Sequence, residues 1–442
     1  MNLDSFSFIF VFLPLSLGAY YLAPPRRRPA VVLGVSLVFY VLLEGRWILL
    51  MAASLGVDFA ISRAIHRFGP RDDRSRRLLA LAVGKSLLLM LGSTALRQIY
   101  QIHQPLGIYL YTLSSLGYLI DLYWGEIDYQ PSLVNYGVLC CFFGKLYAGP
   151  LVEAKEFFPQ LKDPRPSLDQ VGEGMMIFVQ GLAKKVILAD GIISFYQQLA
   201  ALTQNEMSVI GAWATVFAAM FTLYFRLSAY CDMAKGLGRM FGLELPDNFY
   251  YPIQSRTVTD FFSRFNMTVS RYIRHYVYGS LGSDQNGGLS TSLNVMLTAM
   301  LMGLWFGLGI NYLMWGVFLG AFIVVETLFG QRIIKVVPPF FLRIYTFAVT
   351  LLSFALFATT SLRQASQYLQ AMFGRGGIPF LDNEVLYLFS TNYLVLILCL
   401  LLSTSLFHTI FRFLRRQFPS GATALGALGN LALLALTVAL ML

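Results

Sequence analysis

The sequence predicts an all-helical, polytopic membrane protein, and composition, apolar patterning and the placement of charge each point that way. Of 442 residues, 57% are hydrophobic and only 13% are charged, whereas a soluble domain carries about a quarter charged residues. The surplus of apolar surface needs lipid to face. The apolar runs are continuous rather than alternating, which argues for helices and against a barrel. Basic residues gather in short loops between the runs, the distribution expected of cytoplasmic loops.

In chain order the apolar runs cover residues 6–22, 30–43, 47–65, 78–91, 105–124, 133–148, 175–189, 209–225, 289–310, 312–329, 340–358, 385–406 and 423–442. Several are shorter than the roughly 20 residues that cross a bilayer core, so about eleven full crossings are expected, the rest being re-entrant, tilted or interfacial. The first run lacks a preceding charged segment and a small-residue cleavage site, so it is expected to be retained as a span. PPRRRPA (24–30) and HRFGPRDDRSRR (66–77) flank the hairpin 30–65, and RFLRRQF (412–418) follows later. The first two loops are expected in the cytoplasm, which places the N-terminus on the extracytoplasmic side.

The net charge of +10 does not point to nucleic acid, because the basic groups sit at span ends without interleaved aromatics. Cys140, Cys141, Cys231 and Cys399 lie in or beside apolar runs and show neither metal-ligand spacing nor a secreted disulfide pattern; they read as small core residues. No metal site is expected. Without a repeat, long linker or low-complexity tail, residues 1–442 read as one domain.

Ionisable groups inside apolar runs are costly and mark function by default. Residues 105–130, PLGIYLYTLSSLGYLIDLYWGEIDYQ, bring Asp121 and Glu126 to the end of a Tyr-rich helix, although interfacial aromatics alone would explain the tyrosines. Residues 142–161, FFGKLYAGPLVEAKEFFPQL, are broken at Gly149-Pro150, with Lys145 and Glu153 on either side. Such a break at membrane depth has to face protein or a watery cavity. Residues 222–282 form the longest polar and aromatic stretch. Within it, 259–278 has helical periodicity. Phe262, Phe265, Val269, Tyr272 and Tyr276 fall near one face, and Arg264, Arg271, Arg274 and His275 mostly on another. An amphipathic helix is expected there, either resting on anionic lipid or lining a polar cavity. Residues 300–316, MLMGLWFGLGINYLMWG, are too apolar for water yet hold two Trp, an Asn and a Tyr that a plain span does not need.

Taken in order, these stretches resemble the membrane-bound O-acyltransferase (MBOAT) family. The likeness is nearest to its bacterial branch, which holds the alginate O-acetyltransferase membrane subunit and the teichoic-acid D-alanyl transfer protein. SFIFVFLPLSLGAYYL (7–22) is similar to the family's first helix, and PLGIYLYTLSSLGYLIDLYWGEI with AGPLVEAKEFFPQL to its central block. GLAKKVILAD (181–190), YCDMAKGLGRMFGLELPDNFYYPIQSRTVTDFF (230–262) and GLWFGLGINYLMWG (303–316) follow in sequence. Each block is moderately specific; together they cover most of the chain. The resemblance implies the MBOAT fold, with about eleven transmembrane helices ringed around a central tunnel beside re-entrant and amphipathic helices. It also implies a bacterial inner-membrane location. An acyl donor, on an acyl-carrier protein or as acyl-CoA, would enter from the cytoplasm. The implied partners are that carrier, membrane lipid and an extracytoplasmic transferase.

In the family, two positions carry the chemistry. One lies in a pattern like W-x-x-W-H on the amphipathic helix, the other in W-H-G on the next span, whose histidine is held to be the base that activates the acceptor. FFSRFNMTVSRYIRHYVY (261–278) aligns without gaps and puts Asn266 at the first position; LWFG puts Phe306 at the second. The first position is His in the bacterial branch and Asn in many eukaryotic members, and an amide can still orient a substrate. A phenyl ring can neither accept nor donate a proton, and losing a positioned base costs about 10²–10⁴-fold in rate. FRLSAYCD (225–232) also departs from the branch's F-D-F-S-G-Y-S-D, with Arg226 in place of an acid, and Phe262 and Phe265 stand where the family has Trp. Expected to line the tunnel are Trp305, Gly307, Arg226, Tyr230, Asp232, Asn248, Asp260, Arg264, Arg271, Gly149 and Pro150. His66, His103 and His408 fall in loops or at span boundaries, and His275 would face away from Asn266 on a continuous helix, so none is expected to replace the base.

The favoured expectation is a catalytically impaired or repurposed relative in a bacterial cell-surface glycan acylation or export system. Its tunnel would bind or move a lipid or acyl-like molecule, or the chain would scaffold a complex. Arg226, Arg264, Arg271 and Arg274 would meet phosphate or carboxylate, or simply snorkel to the interface. The alternative is an active O-acyltransferase serving a polysaccharide or other extracytoplasmic hydroxyl through Asn266 and an unrecognised base. A transporter has only the broken helices in its favour, without an inverted repeat.

Overall fold

Apolar sequence that cannot hydrogen-bond to lipid has to close its backbone on itself, and a helix does this residue by residue. The computed structural model, which describes residues 1–162, 164–202, 208–281 and 288–441, is accordingly helical. The helices in chain order are α1 Leu13–Leu22, α2 Arg28–Glu44, α3 Trp47–Phe68, α4 Asp73–Tyr100, α5 Ile108–Trp124 and α6 Leu133–Cys141. They continue with the single turn α7 Ala154–Phe157, then α8 Leu168–Ala183, α9 Asp190–Ala201, α10 Val209–Met240, α11 Val258–Arg264 and α12 Met267–Ile273. The last are α13 Gly288–Leu304, α14 Ile310–Val336, α15 Pro339–Phe357, α16 Leu362–Met372, α17 Asn383–Leu402, α18 Leu406–Gln417 and α19 Pro419–Met441. Among the described residues there is no strand, and Phe249 with Phe265 forms an isolated antiparallel bridge.

Among the described residues six helical segments are long and apolar enough to cross a membrane: α3, α4, α10, Ile310–Phe329 within α14, α15 and α17. Phe8–Leu22, Ser290–Leu304 and Leu428–Met441 are apolar but shorter. The half-length pieces anticipated from the sequence fall here, and these lengths leave the expected total of crossings open.

The chain divides into two compact units, one of residues 1–181 with 230–247 and one of 182–229 with 248–442. In the first, Phe8, Phe12, Phe39 and Phe143 pack with ring centroids 5.5–6.1 Å apart. Tyr20 and Tyr21 of α1 donate to the carbonyls of Phe241 (2.7 Å) and Met240 (2.6 Å), tying the start of the chain to the end of α10. Helix α8 crosses α10 at two glycines: a Cβ on Gly236 would lie 2.5 Å from the Phe178 amide, and one on Gly174 would lie 2.8 Å from the Gly236 carbonyl. Only glycine permits that approach, the usual device where packing rather than hydrophobicity joins helices in lipid.

In the second unit, α13 and α14 form a hairpin closed in the same way. A Cβ on Gly303 would strike the Tyr312 carbonyl at 2.1 Å, and one on Gly316 the Ala299 carbonyl at 2.4 Å. Glu326 of α14 reaches the start of α11, accepting from the Val258 amide (2.7 Å), the Thr259 amide (2.9 Å) and the Thr259 hydroxyl (2.8 Å). A carboxylate on three donors at a helix start suits the helix dipole and fixes α11 on α14. All four cysteines are buried and outside any disulfide, as the sequence suggested.

Two expectations need correction. The amphipathic stretch 259–278 is not one helix: α11 stops at Arg264, Phe265 is extended, Asn266 is left-handed (φ 53°), and α12 begins at Met267. The turn Arg274–Tyr278 then continues as a π-helix. The argument that set His275 on the face opposite Asn266 therefore lapses. The other break also moves: α6 ends at Cys141, ahead of Gly149-Pro150, and 142–150 is a turn rather than helix.

Inside the first unit Asp58 is fully buried, and one carboxylate oxygen accepts from Lys85 Nζ (2.5 Å) and the Ser115 hydroxyl (2.6 Å). Both partners lie on membrane-length helices or against them, so the pair is formed where water is scarce. Asp58→Ala should lower stability by about 3 kcal/mol, the low end for removing one partner of a buried pair, because Lys85 retains 21% exposure. Replacing both residues with Leu and Met should recover most of the loss. Thermal midpoints of the purified protein in one detergent check this; a double variant as unstable as the single one would contradict it.

Candidate functional site

The strongest local constraint lies where α11 gives way to α12. Asn248 accepts with its side-chain oxygen from the Thr268 amide (2.9 Å) and hydroxyl (2.8 Å), and its own carbonyl accepts from the Met267 amide (2.9 Å). Its side-chain NH₂ donates to Asn266 Oδ1 (3.0 Å). Two residues on, the Tyr250 amide donates to the Arg264 carbonyl (2.9 Å). The segment 248–250 thus supplies the partners that a continuous helix would have found in itself. Asn tolerates the left-handed conformation that the break demands. Asn248 and Asn266 are both buried, and the Asn266 side-chain oxygen finds its donor within the protein.

Phe306 lies next to this break. The ring of Phe265, the residue before Asn266, has its centroid 6.5 Å from that of Phe306. Trp315 stands edge-on at 5.7 Å and Phe357 at 5.3 Å. Phe306 occupies the turn between α13 and α14 rather than a span interior, its amide donating to the Gly303 carbonyl (3.0 Å). Trp305 is half-buried in the same turn. Gly307 is confined by Tyr312, whose ring a Cβ would meet at 2.5 Å. The rings against Phe306 carry no group that titrates near neutral pH, so this aromatic nest can hold an apolar group and cannot itself move a proton.

Two polar atoms near this nest have no partner among the described residues. Trp315 is fully buried with its indole N–H unmet, and Asn311, one turn earlier on α14, leaves Oδ1 unmet while its NH₂ donates to the Thr359 carbonyl. Four residues apart, they share a helix face. The lining expected from the sequence did not include Trp315, Asn311 or Glu326; the Asn and Trp in an otherwise apolar run were the available signal.

The other expected lining residues divide. In the second unit, Asp260 is spent locally: it accepts from Arg264 Nε (2.7 Å) and from the Arg256 amide (3.2 Å), while Arg264 also lies over the Tyr250 ring at 5.8 Å. Arg226 and Arg271 are exposed. In the first unit, Gly149 and Pro150 are buried, and a Cβ on Gly149 would lie 2.3 Å from Lys145 Cα, which explains a glycine there. Tyr230 stacks on Tyr147 at 5.3 Å, and Cys231 donates to the Ala148 carbonyl (2.9 Å). Asp232 is half-buried on α10. Lys145, noted only as flanking the break, is fully enclosed, its ammonium donating to the Leu139 carbonyl and to Ser114 Oγ (3.1 Å).

The break sets an order of tolerance at position 266. Asn266→Gly should cost less stability than Asn266→Ala, and Asn266→Val most, by about 1–2 kcal/mol over glycine, because only glycine and asparagine occupy φ near +53° without strain. Asn248→Ala should cost more than Asn266→Gly, since it orphans the Thr268 amide and hydroxyl. Melting curves of the four variants check the order; alanine outperforming glycine at 266 would contradict the left-handed assignment.

The comparisons agree with this architecture. The model of the MBOAT, membrane-bound O-acyltransferase family, matches residues 125–366. The chain is 33% identical over 382 residues to the "Probable alginate O-acetylase AlgI" of Pseudomonas fluorescens, covering 85% of this chain and 76% of that protein. It is 28% identical over 419 residues to the "Peptidoglycan O-acetyltransferase" of Helicobacter pylori, covering 84% and 79%. The "Teichoic acid D-alanyltransferase" of Bacillus subtilis matches over 227 residues at 24% identity, 48% of this chain and 56% of that one. With the family model matched over more than half its length and membrane-length helices along it, the chain belongs to the membrane-bound O-acyltransferase family.

Proposed function

We propose that this chain is a catalytically impaired or repurposed membrane-bound O-acyltransferase of a bacterial cell-surface glycan acylation or export system, in which the proton-transfer step has been lost. The observation that carries the reading is Phe306, at the position matched to the family's base, with the rings of Phe265, Trp315 and Phe357 against it. A second observation supports it: the side-chain oxygen of Asn266, at the other matched position, is engaged by Asn248. On this reading the remaining activity is the binding or passage of a lipid or acyl-like molecule, or the scaffolding of partners. The break at Asn266 and the turn at Phe306, both in the second unit, form the wall of its path. The discontinuous build of each compact unit supports treating residues 1–442 as one domain.

The alternative is an active O-acyltransferase that delivers an acyl group to an extracytoplasmic hydroxyl, using Asn266 to orient the acceptor and a base elsewhere. The names of the relatives favour it, since they act on alginate, peptidoglycan and teichoic acid. The donor on either reading is an acyl thioester, on a carrier protein or as acyl-CoA. A cavity of about 610 Å³ lined by Arg26, Arg27, Lys162 and Arg165 supports an anionic partner on the side we assign to the cytoplasm. An extracytoplasmic transferase is the partner proposed for the other side, with the N-terminus facing it.

Proteoliposomes supplied with labelled acetyl-CoA or acetyl-carrier protein test the reading. The natural chain should release donor thiol no faster than Phe306→Ala, and the double variant Asn266→His/Phe306→His should exceed it by about 10²-fold or more, the weight of a restored base. Turnover by the natural chain that survives Phe306→Ala and disappears with Asn266→Ala would overturn the impaired reading in favour of the active one.

A further inference from the structure

The second unit holds a short amphipathic helix whose two faces are both largely bare. Helix α18, Leu406–Gln417, has 12 residues. That is about 18 Å at 1.5 Å per residue, too short for a bilayer core of about 30 Å. It follows the membrane-length helix α17 after Ser403, Thr404 and Ser405. A helix of that length ends where hydrocarbon meets headgroups, so α18 starts at this level. Pro419 then opens α19, which is apolar again from Leu428 to Met441.

At 3.6 residues per turn, Leu406, Phe407, Ile410, Phe411, Phe413 and Leu414 fall within about 160° of the helix circumference. All six are 37–61% exposed. Helix α18 packs on α17 and α19, and Phe411, at one edge of the apolar face, meets Gly426 of α19, where a Cβ would lie 3.2 Å from its ring. The rest of the face is left for lipid, where such a helix sinks among acyl chains instead of standing in water.

The opposite sector is cationic. Arg412 donates to His408 Nε2 (2.5 Å), and Arg416 follows one turn later in the same row. All three are exposed. With Arg415, the helix carries three arginines and no acid. Its neighbours supply none either: no Asp or Glu occurs from 385 to 442, and Glu384 stands at the opposite end of α17. Helices α17 and α19 therefore leave the charge of α18 uncompensated.

We propose that α18 lies in the plane of the headgroup layer as a contact for anionic phospholipid: its apolar face enters between acyl chains, and its arginines gather lipids of net negative charge, of the phosphatidylglycerol kind. A zwitterionic headgroup sets an ammonium beside its phosphate, which the arginines repel; a net anion presents the phosphate alone. The contact does not depend on whether the chain transfers acyl groups.

The full-length chain, reconstituted in liposomes of equal parts phosphatidylglycerol and phosphatidylcholine, tests this through a fluorophore on Phe413→Cys. The four native cysteines are buried and leave the introduced thiol to the label. Brominated acyl chains are placed on one lipid or the other. Brominated phosphatidylglycerol should quench about fivefold more than brominated phosphatidylcholine, the weight of one arginine at the surface, and aqueous iodide should quench least. Arg412→Gln, Arg415→Gln and Arg416→Gln together should bring the two lipids level, whereas Lys at the three positions should keep the preference. Equal quenching by the two lipids with the arginines in place, a preference that survives the three glutamines, or stronger quenching by iodide than by lipid would overturn the proposal. Protection from all three quenchers would also overturn it, placing a protein partner or a second copy of this chain on the face.

Discussion

Within an apolar chain every backbone amide and carbonyl must find a partner in the protein, and that requirement organises this molecule. Where the helices run unbroken, the requirement is met locally and sequence alone decides the element. Where they break, a second segment has to arrive with matching donors and acceptors. The α11–α12 break is the clearest case, because Asn248 and the backbone of 248–250 meet the groups at Arg264, Met267 and Thr268. Glu326 does the same for the start of α11. The irregular positions are therefore the most specified ones, and Asn266 and Phe306 stand among them.

Close helix contact is the second recurring device. Hydrophobicity cannot drive one apolar helix onto another in lipid, so approach depends on shape. Gly174 with Gly236 in the first unit, and Gly303 with Gly316 in the second, remove the side chains that would hold backbones apart. The α13–α14 hairpin owes its tight turn to this, and the turn presents Phe306 to Trp315 and Phe357. Charge follows the same economy of space: Asp58 meets Lys85 and Ser115 inside the first unit, whereas Arg226 and Arg271 remain exposed.

Family membership and the chemistry of the Phe306 side chain pull in different directions. Similarity extends over most of the chain, and within it Phe306 packs with other rings. The unmet indole N–H of Trp315 and amide oxygen of Asn311 are consistent with a polar group having a place near this turn.

The sequence by itself determined the helical membrane class, the approximate places of the apolar runs, the burial of the cysteines and the family, because composition and ordered motifs are local properties. It also singled out Asn266 and Phe306, since both fall inside recognisable blocks. It did not determine that 259–278 would break, because periodicity records which residues are apolar and the apolar face at Phe262, Phe265, Val269 and Tyr276 survives the break. Only the tertiary structure decided that. The competing hydrogen bonds come from Asn248, eighteen residues before Asn266, and no local pattern carries them. The same holds for Trp315 and Glu326, whose partners, or lack of them, are set by neighbours distant in the chain.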